Sequence, residues 1–165
     1  YYPYDMMAAQ IFGYVGQIDE DDMERLKGED GVSNVTQIGR AGLESYYDDV
    51  LRGKDGSRQV EVDASGSPVM EVERKNPVQG HNIHLTLDLN LQTALEKAMD
   101  AQIAQGIGVS GIAAVAVDPN TGAVLAMASR PAYNPNWFTR GITESEWKQI
   151  NGNPNHPMEN RVIAG

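Results

Sequence analysis

The chain has 165 residues and a mass of 18.0 kDa, enough for one ordinary domain or parts of two smaller ones. With 13 Lys and Arg against 23 Asp and Glu, its net charge is −10, which argues against nucleic acid and anionic lipid, since phosphate neutralisation needs clustered cations. The absence of cysteine excludes disulfides and thiol chemistry, and 41% hydrophobic with 22% charged residues excludes wholesale disorder.

Composition shifts near residue 80, from a Gly- and Asp-rich first part to an apolar, regular second part. In the first part a helix is expected over Met6–Val15, ending near Gly16. Asp19-Glu20-Asp21-Asp22 opens a short helix to about Lys27, because acids suit the free N–H groups and dipole of a helix start, and Gly28 follows it. Leu43, Tyr46, Tyr47, Val50 and Leu51 have helical spacing. Gly53 and Asp55-Gly56 signal turns. Ser57–Asp63 alternates, with Val60 and Val62 on one face, and Met70 and Val72 alternate after the Ser65-Gly66 turn. These predict a hairpin with one wet face.

In the second part, His81–Asp88 predicts a strand with Ile83, Leu85 and Leu87 on one face. Asp88 or Asn90 caps a helix over about Leu91–Gln105, whose expected apolar stripe is Leu91, Leu95, Ala98, Met99 and Ile103. Gly106, Gly108 and Gly111 break it. Ile112–Val117 and Ala123–Ser129, joined by Asp118-Pro119-Asn120-Thr121-Gly122, predict an antiparallel hairpin. Both faces of this hairpin are apolar, and one helix covers only one of them. A layered α/β/α arrangement with cover from elsewhere is therefore expected. Arg130–Gly165 is loop-rich, except for a helix from the capping box Thr143-x-x-Glu146 to Gly152.

The longest apolar runs, Ile112–Val117 and Ala123–Ala128, have six residues each, too few to span a membrane. The chain starts at Tyr1 rather than Met and stops at Gly165 after Val162-Ile163-Ala164. It reads as a piece of a longer protein.

Candidate chemistry is sparse. Asp19–Asp22 lacks the Gly and the spaced acids of a calcium loop, so it reads as a solvated helix start. His81 and His84 fall on opposite faces of the expected strand, and His156 lies beside Pro157, so no metal and no cofactor are expected. Ser145-Glu146-Trp147-Lys148 matches the Ser-x-x-Lys pattern of a nucleophile and its base. That chemistry needs a buried lysine with a depressed pKa, whereas Glu144 and Glu146 flank Ser145 on a polar helix. Ser145 and Lys148 are read as a decoy. Ser129 lacks a nucleophile elbow, and there is no Gly-rich phosphate loop.

Several strings in order carry a family resemblance. They are Tyr2-Pro3 with Ala8-x-x-Ile11-x-Gly13-Tyr14-Val15-Gly16; Gly39-x-x-Gly42-Leu43-Glu44 with Tyr47-x-x-x-Leu51-x-Gly53; Val60-x-Val62-Asp63-Ala64-x-Gly66; Leu85-Thr86-Leu87-Asp88-x-x-Leu91-Gln92; Ala114–Ser129 with its Asp118-Pro119-x-Thr121-Gly122 turn; and Tyr133-Asn134-Pro135-Asn136 with Asn160-Arg161. Together they resemble the class B penicillin-binding proteins, most closely the elongation-type members and next the division-type ones. Asp5 and Ser67 depart from residues common in that family.

The resemblance implies an α+β fold. Residues 1–80 would be part of the pedestal, or dimerisation, domain, and 81–165 the opening strand–helix–hairpin of an α/β/α transpeptidase domain. It also implies that the nucleophilic serine lies just beyond Gly165, leaving no catalytic residue in this chain. The parent would be a serine D,D-transpeptidase on the extracytoplasmic membrane face, anchored by an N-terminal helix absent here. It would act on D-Ala-D-Ala stem peptides and be trapped by β-lactams. Its partners would be a membrane glycan polymerase and cell-shape scaffold proteins. The competing readings are a stand-alone extracytoplasmic binding module and a small hydrolase using Ser145 and Lys148.

Overall fold

The computed structural model describes residues 1–29, 31–34, 36–106 and 111–164; Gly108 and Gly165, invoked above, lie outside them. The elements are α1 (Ala9–Phe12), β1 (Tyr14–Gln17), α2 (Glu20–Arg25), β2 (Gln37–Ala41), α3 (Gly42–Tyr46), α4 (Asp48–Leu51), β3 (Ser57–Val62), β4 (Pro68–Lys75), α5 (Leu89–Ala104), β5 (Ile112–Val117), β6 (Val124–Arg130), α6 (Asn136–Thr139), α7 (Glu144–Asn151) and α8 (Arg161–Ala164). Among the described residues the strands form three antiparallel pairs, β1–β2, β3–β4 and β5–β6, giving the expected α+β composition.

The helix expected over Met6–Val15 shrinks to α1. Gly13, at φ 77°, turns the chain, and a Cβ there would lie 1.8 Å from the Ala41 carbonyl oxygen. Tyr14–Gln17 leaves as a strand and pairs with β2, an element too short and too Gly-rich to show in the sequence. The acidic start of α2 forms as expected. Asp19 Oδ1 accepts from the Asp22 N–H at 2.9 Å, and Asp22 Oδ2 accepts from the Asp19 N–H at 3.3 Å. The helix expected over Leu43–Leu51 breaks at Tyr47 (φ −111°, ψ 22°) into α3 and α4, where Asp48 accepts from the Gly39 N–H at 2.8 Å.

The β3–β4 hairpin forms, but the single wet face does not. Val62, Val69, Met70 and Val72 are 53–67% exposed. Register irregularities at Gln59/Val60 and Glu61/Val62 set Val60 opposite Glu71 and Glu61 opposite Met70, so the apolar residues never gather on one side.

His81–Asp88 is not a strand. It runs beside β6, with the Asp88 N–H donating to the Leu125 carbonyl at 2.8 Å and Thr86 Oγ1 to the Val124 carbonyl at 2.6 Å. Asp88 then caps α5, its side chain accepting from the Leu91 N–H at 2.8 Å. The α5 face that turns inward corrects the expected stripe. Gln92, Glu96 and Met99 are buried, while Leu91 and Ile103 are exposed. Opposite them β6 offers the small Ala126 and Ala128 plus Arg130, a surface that needs carboxylates more than leucines.

The β5–β6 hairpin follows the expected pattern. Ala114 pairs with Ala128 and Ala116 with Ala126, on the face that α5 covers. Val115 and Val117, on the other face, are half exposed. In the tail, Thr143 and Glu146 form the expected capping box of α7. The apolar core lies between the two ends of the chain. Ala9, Tyr133, Phe138 and Ile150 are buried, and Tyr14, Trp137, Ile142 and Met158 pack on them. Tyr14 stacks on Phe138 at 3.8 Å, and both rings meet Tyr133 edge-on.

Candidate functional site

The densest buried polar cluster joins the N-terminal segment, α5 and β6. Gln92 and Glu96 are four residues apart and share one face of α5. The Gln92 side-chain amide accepts from the Met127 N–H at 2.9 Å and donates to the Met127 carbonyl at 2.8 Å. It therefore satisfies the outer edge of β6 as a neighbouring strand would. It also donates to Glu96 Oε1 at 2.7 Å.

Glu96 Oε1 accepts a second hydrogen bond from the Ala8 N–H at 2.8 Å, and Oε2 accepts from Arg130 at 2.8 Å. Arg130 Nε donates to Asp100 Oδ1 at 2.6 Å. Burial works against the Arg130 charge, but Asp100 and Glu96 outweigh it and hold the guanidinium above its ordinary pKa. A single carboxylate thus ties three separate stretches of chain together.

A second clamp repeats the amide geometry. Asn136 Oδ1 accepts from the Tyr2 N–H at 2.8 Å, and its Nδ2 donates to the Tyr2 carbonyl at 2.9 Å. Gln10 Nε2 donates to the carbonyls of Pro131 at 3.1 Å and Pro157 at 2.8 Å. Tyr133 donates to the Ala9 carbonyl at 3.1 Å. Tyr2 donates to Glu44 at 3.2 Å and accepts from the Val15 N–H at 3.0 Å. Burial, then the Glu44 charge, pushes the Tyr2 phenol up; burial, then Tyr14, does the same for Tyr133. Both stay neutral hydrogen-bond donors. These groups can hold and orient chain segments, but none pairs a nucleophile with a base.

The residues singled out from sequence sit apart from this cluster. Lys148 Nζ donates to Glu144 Oε1 at 2.6 Å, with both side chains largely exposed. Ser145 Oγ lies 3.2 Å from Thr143 Oγ1. The Thr143 N–H and hydroxyl, with Arg140, hold the Glu146 carboxyl below the usual carboxylate range. Ser129 donates to the Glu159 carbonyl at 3.0 Å and accepts from the Arg161 N–H at 3.3 Å. His81 and His84 are exposed on the extended segment, and His156 adopts φ 39° in its loop. Asp19 and Asp22 pair with Arg40 at 3.1 and 2.7 Å. Among the described residues no group of three or more His, Cys, Asp or Glu could hold a metal ion.

Sequence reasoning gave no role to Glu96 or Arg130 and named Gln92 and Asn136 only within the family strings, without their clamping role. The available signal was two polar residues at helical spacing inside an apolar pattern, followed by an arginine at the end of an apolar strand.

Comparison with known proteins places this geometry. The family described as "Penicillin-binding Protein dimerisation domain" matches residues 1–85, more than half of the chain. The chain belongs to the penicillin-binding protein family. The "Penicillin binding protein transpeptidase domain" matches residues 112–165. The peptidoglycan D,D-transpeptidase MrdA of Escherichia coli K12 is 38% identical over 168 residues, covering 100% of this chain and 25% of that protein. The chain thus spans about a quarter of the length of the curated relatives it matches.

Two solved structures share the fold. The complex between penicillin-binding protein PBP2 and MreC from Helicobacter pylori matches at a TM-score of 0.74 and 27% identity, over 98% of this chain and 28% of that one. A chain of a peptidoglycan synthase complex, described as coordinating polymerization and crosslinking, matches at 0.78 and 36%, over 99% of this chain and 29% of that one. The similarity to these relatives therefore runs along nearly the whole chain. All of α5, with Gln92, Glu96 and Asp100, falls between the two family matches. Among the described residues no helix is long and apolar enough to cross a membrane.

Proposed function

We propose that the chain is the joint of a peptidoglycan cross-linking transpeptidase, with residues 1–80 contributing to its pedestal and 81–165 opening its transpeptidase domain. The observation that carries this is the Glu96 cluster, which bonds the N-terminal segment to α5 and β6 between the two matched family regions. In this reading the chain positions and docks, and contributes no nucleophile. The serine that takes the acyl group from a D-Ala-D-Ala stem peptide, and that β-lactams trap, lies outside residues 1–165. Ser145 and Lys148 stay a surface helix, supported by the lysine's pairing with Glu144. The parent works on the extracytoplasmic face of the membrane. Its partners are a glycan polymerase and a cell-shape scaffold, supported by the described assemblies of the two structural relatives.

The test is fluorescent penicillin on the intact protein, followed by mass-spectrometric mapping of the acylated serine. A label outside residues 1–165, retained in Ser145→Ala, is expected. A label on Ser145, or no label at all, overturns the reading.

A further inference from the structure

Beside the core, the N-terminal segment, the loop before α6 and the end of α7 enclose a cleft of about 310 Å³ lined by Met6, Tyr133, Asn134, Trp137, Gln149 and Asn153. That volume is at the lower end of small-ligand sites, about 300–1,000 Å³. On a chain of net charge −10 this cleft is lined by no charged side chain.

Its amides are ordered in a particular way. Asn134 Oδ1 accepts from the Asn136 N–H and Asn153 Oδ1 from the Asn155 N–H, each at 2.9 Å. Each oxygen is committed, which fixes the amide orientation and leaves the NH₂ group without an acceptor among the described residues. The Gln149 amide and the Trp137 indole N–H also bond to nothing in the described residues. The cleft therefore presents N–H donors unused among the described residues beside the half-buried ring of Trp137, while Tyr133 belongs to the core beneath.

A matching ligand is neutral, rich in carbonyl and hydroxyl acceptors, and has an apolar face to lie against an aromatic ring. A peptide end with a free carboxylate would find no cation here. We propose that this cleft binds an N-acetylated sugar unit of a glycan strand. This inference rests on the peptidoglycan reading above and adds to it a sugar site separate from acyl transfer.

The intact protein would be titrated calorimetrically with chitotriose and with cellotriose, which lacks the acetamido groups. Chitotriose is expected to bind at millimolar concentration or better, and cellotriose about tenfold more weakly. Asn134→Asp and Asn153→Asp keep the oxygen that accepts the loop N–H while removing the donor. Each should melt like the parent and lose about tenfold in chitotriose affinity. No response to millimolar chitotriose, equal binding of cellotriose, or undiminished affinity in both Asp variants overturns the site. Penicillin labelling is scored on the same sample: a labelled but sugar-blind protein sinks only the cleft, whereas an unlabelled one sinks the transpeptidase reading.

Discussion

At the scale of single residues, side-chain amides here stand in for missing strands. Gln92 serves the N–H and carbonyl of Met127 as a paired residue would, and Asn136 does so for Tyr2. Glu96 is the more consequential side chain, because it is buried and its removal strands two partners at once. Glu96→Ala leaves the Arg130 guanidinium with Asp100 as its only carboxylate and the Ala8 N–H without an acceptor. The expected loss is about 3 kcal/mol, since breaking a buried pair leaves an uncompensated charge. Asp100→Asn touches a side chain that is 59% exposed and should cost below about 1 kcal/mol. Urea denaturation of the two variants checks this, and equal losses would mean that Glu96 is not the centre of the cluster.

At the scale of elements, the β5–β6 turn that Pro119 and Gly122 signal in the sequence is held by a carboxylate. Asp118 Oδ1 accepts from the Asn120 N–H at 2.9 Å, and Oδ2 from Thr121 Oγ1 at 2.8 Å, while Gly122 closes the turn at φ 74°. The Asn120 N–H, then the Thr121 hydroxyl, holds the Asp118 carboxyl below its ordinary 3.8. The folded turn therefore binds fewer protons than the unfolded chain around that pH. Its stabilisation is complete above the unfolded value and disappears as pH falls through the folded one. Amide exchange at Asn120 and Ala123 should lose protection below about pH 4. Asp118→Asn should start less protected and lose this acid dependence. An unchanged acid profile in the variant would remove Asp118 as the cause.

At the scale of the whole molecule, the core belongs to neither half of the sequence alone. Tyr14 comes from the first part and Phe138 from the second, and they stack at 3.8 Å. Phe138→Ala should cost about 3–5 kcal/mol through lost burial and the cavity left behind. The loss should spread to β1 as well as the tail, because both lean on that ring. Hydrogen exchange should show Tyr14–Gln17 opening with 133–150, while β3–β4, which has no part in this core, keeps its protection. Unchanged exchange in β1 would show that the ends are held by the polar clamps alone.

Local signals in the sequence were enough to place the acidic start of α2, the capping box of α7, both long hairpins, the two apolar faces of β5–β6 and the family motifs, and to narrow the α5 cap to Asp88 or Asn90. These depend on residues within a few positions of one another, so spacing alone reports them. The pairing of β1 with β2, the loss of the His81–Asp88 strand and the inward turn of Gln92 and Glu96 could not be read the same way. Each depends on a partner distant in sequence: the Ala41 carbonyl against Gly13, the edge of β6 beside Asp88, and Arg130 opposite α5. Tertiary structure alone decides which face of a helix is buried when the surface it meets carries a charge, because a buried guanidinium needs carboxylates more than a row of leucines needs cover.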